Sequence, residues 1–435
     1  MKSLKFNFLI SVFCIVTLTH AQIRISKDEV LNRVNENNTT LKISSENYYQ
    51  AQADFKQTNA VFLPNITASH TGIVTTNPLM AFGSKLNQES VSMSDFNPDL
   101  LNNPNRVQNF ATKIEIQQPL INVDGIFQRK AAKTKMEASL LQSQRTKDYL
   151  ELEVEKAYMQ LQLAYKGVSV LEKALETAQE NLKISENSYK QGYLQQADVL
   201  AVKVRVTEVK NQLQSAKSNV KNASNFLSFL MNEPQNIIYN PSDSLEVKKL
   251  NTLISKNLSD NRSDLKAMQL ATDAYKKMYK ADKMSFLPRL NAFGSYELYD
   301  NKIFSVDASG YLIGAQLSWD IFKGYKRFGK IQKSKSEYNK AQLEYENHKA
   351  QSELELNKAK RMLSDTSSQL ELTELALHQS QEMLRIRNNR FKEGLEKTSD
   401  LLLAETQYAQ KQLEYYQTVF QYNYAKAYLE FLTKE

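Results

Sequence analysis

Tyr189-Lys190-Gln191-Gly192 returns 202 residues later as Phe391-Lys392-Glu393-Gly394, and at the same offset Val199 matches Leu401 and Leu230 matches Leu432. The segment after each glycine is therefore copied in register. A second pair, Phe62-Leu63-Pro64-Asn65 and Phe286-Leu287-Pro288-Arg289, lies 224 residues apart, so the first copy holds about 22 extra residues between its proline and its helical part. The surplus falls in 77–109, where Pro78, Pro98 and Pro104 stand among many Asn and Ser. That composition predicts a long exposed loop. The chain is an internal duplication, a signal that decides a fold before any single element does.

Each copy parses in the same order. A helix comes first, over 26–61 with a break near 37–39, and again over 262–286. Ser26-Lys27-Asp28-Glu29 forms a capping box in which the serine accepts from first-turn amides and the glutamate reaches back. Proline then stops the helix. Strands are predicted at 65–75 and 289–299, each returning through a loop to a partner at 111–120 and 310–319, which makes hairpins of 65–120 and 289–319. In the partners Ile114 and Ile116 interleave with Lys113, Glu115 and Gln117, and Tyr311, Ile313, Ala315, Leu317 and Trp319 interleave with Gly314, Gln316 and Ser318. One face is apolar and the other polar.

Two very long helical runs follow in each copy. Leu150, Val154, Ala157, Leu161, Ala164, Val168, Leu171, Leu175, Ala178, Leu182, Ser185 and Tyr189 keep a 4,3 spacing. Val199 through Leu230, Leu356 through Leu384 and Leu401 through Leu432 keep it too, which is the coiled-coil heptad. Tyr408, Tyr415 and Tyr422 fall on this seam and read as packing. The run 124–191 has no proline and at 1.5 Å per residue would reach roughly 100 Å, with 197–231 reaching ~50 Å. The expected architecture is mainly α, a long antiparallel coiled-coil shaft with a small β portion.

Composition narrows the function. Only 11 glycines and 8 prolines occur in 435 residues, so long uninterrupted elements dominate. With 41% hydrophobic and 24% charged residues and a mean hydropathy of -0.53, the chain is neither disordered nor a bundle of membrane-spanning helices. Lys2 and Lys5 followed by an apolar run to about Leu18, and then Thr19-His20-Ala21, read as a secretory signal peptide over 1–21. The single cysteine, Cys14, goes with it. The net charge of +8 is spread over both signs with no basic block, so no nucleic-acid partner is expected. His70, His348 and His378 lack metal-ligand spacing and read as surface or lumen residues, and no phosphate loop, nucleophile elbow or paired catalytic carboxylates are visible. No enzyme activity, metal or cofactor is expected.

Two hairpins are too little sheet to bury a core alone. Ten residues is the length of a tilted transmembrane strand, and a membrane tolerates no open sheet edge, so four strands per chain must close with strands from other copies. A trimer gives twelve strands. Polar faces then line a lumen, and Phe62, Phe286, Trp319 and Phe322 form an aromatic girdle against the lipids. The other reading of the same alternation is a buried sandwich face.

The order of helix, Phe-Leu-Pro, hairpin, long helix, Tyr/Phe-x-x-Gly and helix, repeated twice behind a signal peptide, resembles the TolC-type outer-membrane efflux proteins over the whole mature chain. The resemblance implies a homotrimer with a twelve-stranded barrel in the outer membrane and a helical tunnel in the periplasm. It divides the chain into a first repeat, 22–232, a second repeat, 262–435, and a linker, 233–261, that supplies an equatorial region. Asn261-Arg262-Ser263-Asp264-Leu265 resembles the family's Arg-Pro-Asp-Leu motif, with Ser263 in place of proline. Such a channel is a passive exit duct of a tripartite efflux or type I secretion system, opened by a periplasmic adaptor and fed by an inner-membrane pump.

Gly192 and Gly394 sit where each long helix reverses, a backbone position that favours glycine. In the resembled family these tips carry a Val-Gly-Leu-like motif that docks the adaptor. Here the triplets are Gln191-Gly192-Tyr193 and Glu393-Gly394-Leu395. The family's position matching Asp400 contributes an acidic ring at the periplasmic end, and that matching Asp198 bonds an arginine that holds the tunnel shut. Glu396 stands in place of that arginine with Lys397 adjacent, and Leu403 replaces a second acidic residue. The resemblance therefore makes Asp400, Asp198 and Lys397 gate candidates; helix-start capping accounts for both aspartates equally simply. A periplasmic coiled-coil scaffold or adaptor is the rival function, one that needs no membrane-length hairpins.

Overall fold

The structure, a computed structural model, describes residues 23–248 and 257–435; the signal-peptide segment and Cys14 lie outside the described residues. In the first copy β1 (Ile23–Ile25) leads into α1 (Lys27–Asn37), α2 (Thr39–Gln57), a short 3-10 turn (Thr58–Val61) and β2 (Asn65–Thr75). Then come α3 (Pro78–Asn87), α4 (Pro98–Asn102), β3 (Val107–Ile121), α5 (Val123–Lys190) and α6 (Gln196–Met231). After β4 (Tyr239–Pro241) the second copy runs α7 (Ser263–Met284), β5 (Arg289–Asp300), β6 (Ala308–Ser318), α8 (Lys326–Lys392) and α9 (Thr398–Thr433). The chain divides into two compact units, each drawing on both copies: one takes the residues up to 42, 146–258 and 354–434, the other chiefly 43–145 and 259–353.

The first unit is helical. Ser26 caps α1 by accepting from the Glu29 amide at 3.2 Å. The expected break falls on Asn38, whose backbone is extended. Its buried side chain donates to the Leu230 carbonyl at 2.8 Å and accepts from the Leu41 amide at 3.1 Å, so one residue ends α1, starts α2 and ties both to α6. The heptad residues of α5 and α6 meet in apolar layers, Val154, Leu161, Val220 and Leu227 in one and Leu171, Val209 and Leu213 in another. Those of α8 and α9 do the same through Leu356, Leu363, Tyr422 and Leu429. β1 pairs in parallel with β4, and Leu245 joins Met159 and Val419 in a layer to which α5, α9 and the linker all contribute.

The α5 seam departs from its strict heptad near the end: the buried residues are Ala178, Asn181 and Ser185, while Tyr189 is exposed. Ala178 and Ser185 hold the heptad line, and Asn181, about 100° around the helix from Leu182, is buried where it meets Glu405 of α9.

The second unit holds one sheet in the order β2-β3-β5-β6, with every neighbouring pair antiparallel. The segment 77–109 is not the irregular loop that its composition suggests. Asn77 accepts from the Met80 amide at 3.1 Å with Pro78 in the first turn of α3, and Asn97 accepts from the Asp99 amide at 3.0 Å with Pro98 in the first turn of α4. The same Asn-Pro pairs that mark a loop also cap and start a helix. β3 accordingly begins at Val107, ahead of the expected 111.

Candidate functional site: a two-faced sheet and two helix tips

The strand registers stack like with like. Ile66 faces Ile116, which faces Gly294, which faces Ile313; one step along, Ala68, Ile114, Tyr296 and Tyr311 form a second row. These side chains bury little in one chain, with Ile313 78% and Tyr311 79% exposed. The opposite face carries Ser69, Lys113 and Glu297 in one row and Thr67, Glu115 and Ser295 in the next. Lys113 lies 3.1 Å from Glu115 and 3.3 Å from Glu297, and Gln117 donates to Glu115 at 2.8 Å. β2 and β6 are the sheet's two edges, with no partner strand among the described residues. A contiguous apolar face beside a salt-bridged polar one, ending on two open edges, is half-satisfied as a lone sheet in water.

The four girdle candidates sit where the strands meet the helices. Phe62 precedes β2, Phe286 precedes β5 and Trp319 and Phe322 follow β6, which the register places at one end of the sheet. Trp319 donates its indole N–H to the Phe286 carbonyl at 2.9 Å, and Phe286 meets Phe328 edge-on at 5.4 Å with Arg327 5.3 Å over its ring. Phe322 packs on Tyr325 and Tyr325 on Phe328, so these five residues form one aromatic band, exposed except for the half-buried Phe286. Phe62 lies apart from it, 5.7 Å from Arg129, whose guanidinium also covers Phe55. His70 is exposed, as a surface residue of the sheet. It sits on the apolar face, bonded to Thr112 at 2.9 Å and stacked 4.7 Å from Phe304.

At the tips Gly192 has φ +81° and Gly394 φ +71°. Tyr193 donates to the Ser188 carbonyl and Gly192 to that of Tyr189, each at 2.9 Å; Leu395 donates to Arg390 at 2.9 Å and Gly394 to Phe391 at 3.0 Å. Both are Schellman motifs. An added Cβ would meet no atom within 4 Å at either glycine, so the backbone, not space, demands it. Gln191, Tyr193, Glu393 and Leu395 are all exposed around these turns.

The gate candidates separate. Asp198 accepts from the Gln195 amide at 3.2 Å as the far member of a capping box. Lys397 caps α9 through its carbonyl, which accepts from Asp400 and Leu401, and its amine makes no ion pair among the described residues. Asp400 lies 3.5 Å from Arg387, which also binds Glu396 at 2.8 Å; Arg390 binds Glu396 at 2.9 Å. Two arginines of α8 thus hold the residues that follow the tip glycine, and His378 lines the same open groove. The resemblance put an arginine partner for Asp198 at the place of Glu396; Glu396 is instead held by Arg387 and Arg390, which precede Phe391 on α8.

Two buried polar clusters were also missed. In the helical unit Asn181, Ser185, Arg205 and Glu405 are nearly inaccessible, and the Asn181 amide donates to the Glu405 carboxylate. Burial pushes the Glu405 carboxyl up, against the opposing pull of Asn181 and of the Arg205 charge. In the sheet-bearing unit the Arg262-Ser263-Asp264 motif forms a knot. Arg262 donates to Asp264 through Nε and a terminal nitrogen at 2.6 and 2.8 Å and to Ser352 at 2.6 Å, and His348 lies 3.0 Å from Asp264. Burial raises the Asp264 carboxyl, but the Arg262 fork, His348 and the nearby Arg145 more than offset it and hold it at about 2. Among the described residues no cluster of three metal-ligating side chains occurs, and no helix is long and apolar enough to cross a membrane.

A duplicated helical frame with one two-faced antiparallel sheet defines a class, and comparison with known proteins supplies its name. The model of the family "Outer membrane efflux protein" matches residues 30–233 and 254–433, and the chain belongs to that family. No curated protein matches the sequence. Among solved structures the Campylobacter jejuni CmeC outer membrane channel superposes with a TM-score of 0.80 at 16% identity, covering 94% of this chain and 85% of that one. The Vibrio cholerae outer membrane protein VceC gives 0.79 at 16%, covering 94% and 96%. The open state of the Neisseria gonorrhoeae MtrE outer membrane channel gives 0.76 at 17%, covering 94% and 88%. The protein is an outer-membrane efflux protein, and the mainly helical, duplicated fold expected from the repeats is the fold observed.

Proposed function

We propose that three copies close their sheets into one twelve-stranded barrel in the outer membrane, and that the chain is the passive exit duct of a tripartite efflux or secretion assembly. The observation that carries this is the sheet: its apolar face is exposed, its polar face is salt-bridged, and β2 and β6 end it with open edges. Lipid covers the first, water fills the space over the second, and neighbouring copies close the edges. Three four-stranded sheets give the even, antiparallel strand count of such barrels. Repeats 22–232 and 262–435, joined by 233–261, supply the helical hairpins of a periplasmic tunnel. The exposed Tyr193 and Leu395 beside the tip glycines offer the apolar contacts for a periplasmic adaptor, behind which an inner-membrane pump delivers substrate. Asp400 of three chains forms an acidic ring, partly neutralised by Arg387. Reconstitution into planar bilayers tests the duct: discrete, long-lived conductance steps support it, and intact protein that inserts no pore contradicts it.

A further inference from the structure

The insertion that distinguishes the first repeat packs on a particular face of the sheet. At the loop end of β3 the burial alternates: Val107 and Asn109 are buried, while Gln108 between them is exposed. At the start of β6 Ala308 is buried and Ser309 exposed. Val107, Asn109 and Ala308 share the face of Lys113, Glu115 and Glu297, which is the polar one. What covers them is α3. Its inner side, Ala81 and Ser84, is buried, and Gln88 just beyond it donates to the Gln108 carbonyl at 2.8 Å, to the Asn109 side chain at 2.8 Å and to the Asp300 carbonyl at 3.2 Å. The turn between β5 and β6 goes the other way, laying Phe304 against His70 on the apolar face.

The insertion is also built, not slack. Lys85 pairs with Asp95 at 2.5 Å, the Ser92 amide donates to Asp95 at 2.8 Å, and Phe82 meets Phe96 edge-on at 5.7 Å. Yet it carries apolar residues left largely uncovered within one chain: Leu79 is 83% and Met93 88% exposed, with Met80, Leu86 and Phe96 about half exposed. Lipid does not cover them, because they lie on the side of the sheet away from Ile66, Ile313 and Tyr311.

We propose that these residues meet their own counterparts: the three copies of segment 78–104 lean across the outer mouth of the barrel and close on one another through Leu79, Met93 and their neighbours, forming an outer constriction. The occupant of this apolar surface is a second copy of the same segment, since α3 is seated on the face that lines the lumen in the trimeric barrel. The inference rests on that barrel reading. Its consequence is a duct with a resistance at the cell surface in addition to any at the helix tips, made of side chains that a passing solute must part.

Two variants of the full chain test it. Replacing 78–104 by a short Gly-Ser turn removes the constriction and raises single-channel conductance about twofold or more. Met93→Cys, in a mature chain that holds no other cysteine, cross-links between subunits with a short bis-maleimide and lowers conductance, whereas Val306→Cys on the β5–β6 turn does not. Parent-like conductance in a shortened variant that still assembles, or absence of intersubunit cross-links through Met93→Cys in trimers that conduct, overturns the constriction and leaves the duct standing. A parent protein that is monomeric or inserts no pore overturns both.

Discussion

Glu405 of α9 takes its hydrogen bond from Asn181 of α5, 224 residues earlier, and both are shut away from solvent with Arg205 of α6 close enough for its charge to act on the carboxyl. Although Glu405 Oε2 and Arg205 Nε make no hydrogen bond among the described residues, sliding either helix of this polar layer by a turn would take Asn181 from Glu405 and leave the buried carboxyl with no donor. The layer therefore fixes how α9, from the second repeat, lies against the first repeat's hairpin.

That layer makes stability depend on pH in a defined direction. Burial raises the folded carboxyl of Glu405 above its ordinary 4.5, so the folded chain holds the proton more tightly than the unfolded one. Its contribution is intact below about 4.5 and is lost as pH rises through the raised folded value. Glu405→Gln keeps an acceptor for Asn181 without the charge, and its melting temperature should fall less than the parent's over that rise. Asn181→Leu leaves the carboxylate without its donor and should cost about 2–4 kcal/mol by denaturant titration.

The Asp264 knot has the opposite sign. Its folded carboxyl sits at about 2, below the ordinary 3.8 of the unfolded chain, so its stabilisation is present above about 4 and is lost as pH falls toward 2. Asp264→Asn should cost about 2 kcal/mol at neutral pH and flatten acid unfolding across that window. An acid profile identical to the parent's would show that Arg262 and His348 find other partners.

If three copies assemble as proposed, Arg387, 3.5 Å from Asp400, sets the charge balance at the helix tips as much as Asp400 does. Like charges brought together by threefold symmetry within a Debye length of ~8 Å favour cations. Asp400→Asn should lower cation selectivity and relieve block by divalent cations, whereas Arg387→Gln, freeing Asp400 from a partner 3.5 Å away, should strengthen both. Asp365→Asn should do neither. Equal selectivity in all three and the parent would reduce Asp400 to a helix-start residue paired with Arg387.

The tips separate strain from recognition. Gly394→Ala forces an L side chain to φ +71° and should cost about 1–2 kcal/mol with open space around it. Tyr193→Ser with Leu395→Ser changes exposed side chains only. The pair should keep the parent's melting temperature and pore conductance while losing co-purification with the adaptor; retained adaptor binding would move the docking surface elsewhere.

Periodic features were legible in the residues, and pairings between distant ones were not. The strand Asn65–Thr75 and the start of α1 at its Ser26 cap follow from a proline and a first-turn hydroxyl that act within a few residues. Glu29, expected to reach back to that cap, bonds Arg33 instead. The helices α3 and α4 were hidden because Asn-Pro serves loops and helix starts alike, and only packing on Val107 and Asn109 decides between them. Asn181, Arg205 and Glu405 fall off the heptad seams that the spacing gives, and the burial of Asn181 depends on a helix from the other repeat. The arginines that hold Asp400 and Glu396 lie on the facing helix, where spacing along one chain gives no sign of them.

The account turns on whether the open edges of β2 and β6 are closed by other copies of this chain. Native mass measurement of the full-length protein, extracted from outer membranes in mild detergent, reads that directly. The account predicts a single species of three chains that survives dilution; a monomer or dimer of intact, folded protein would contradict it.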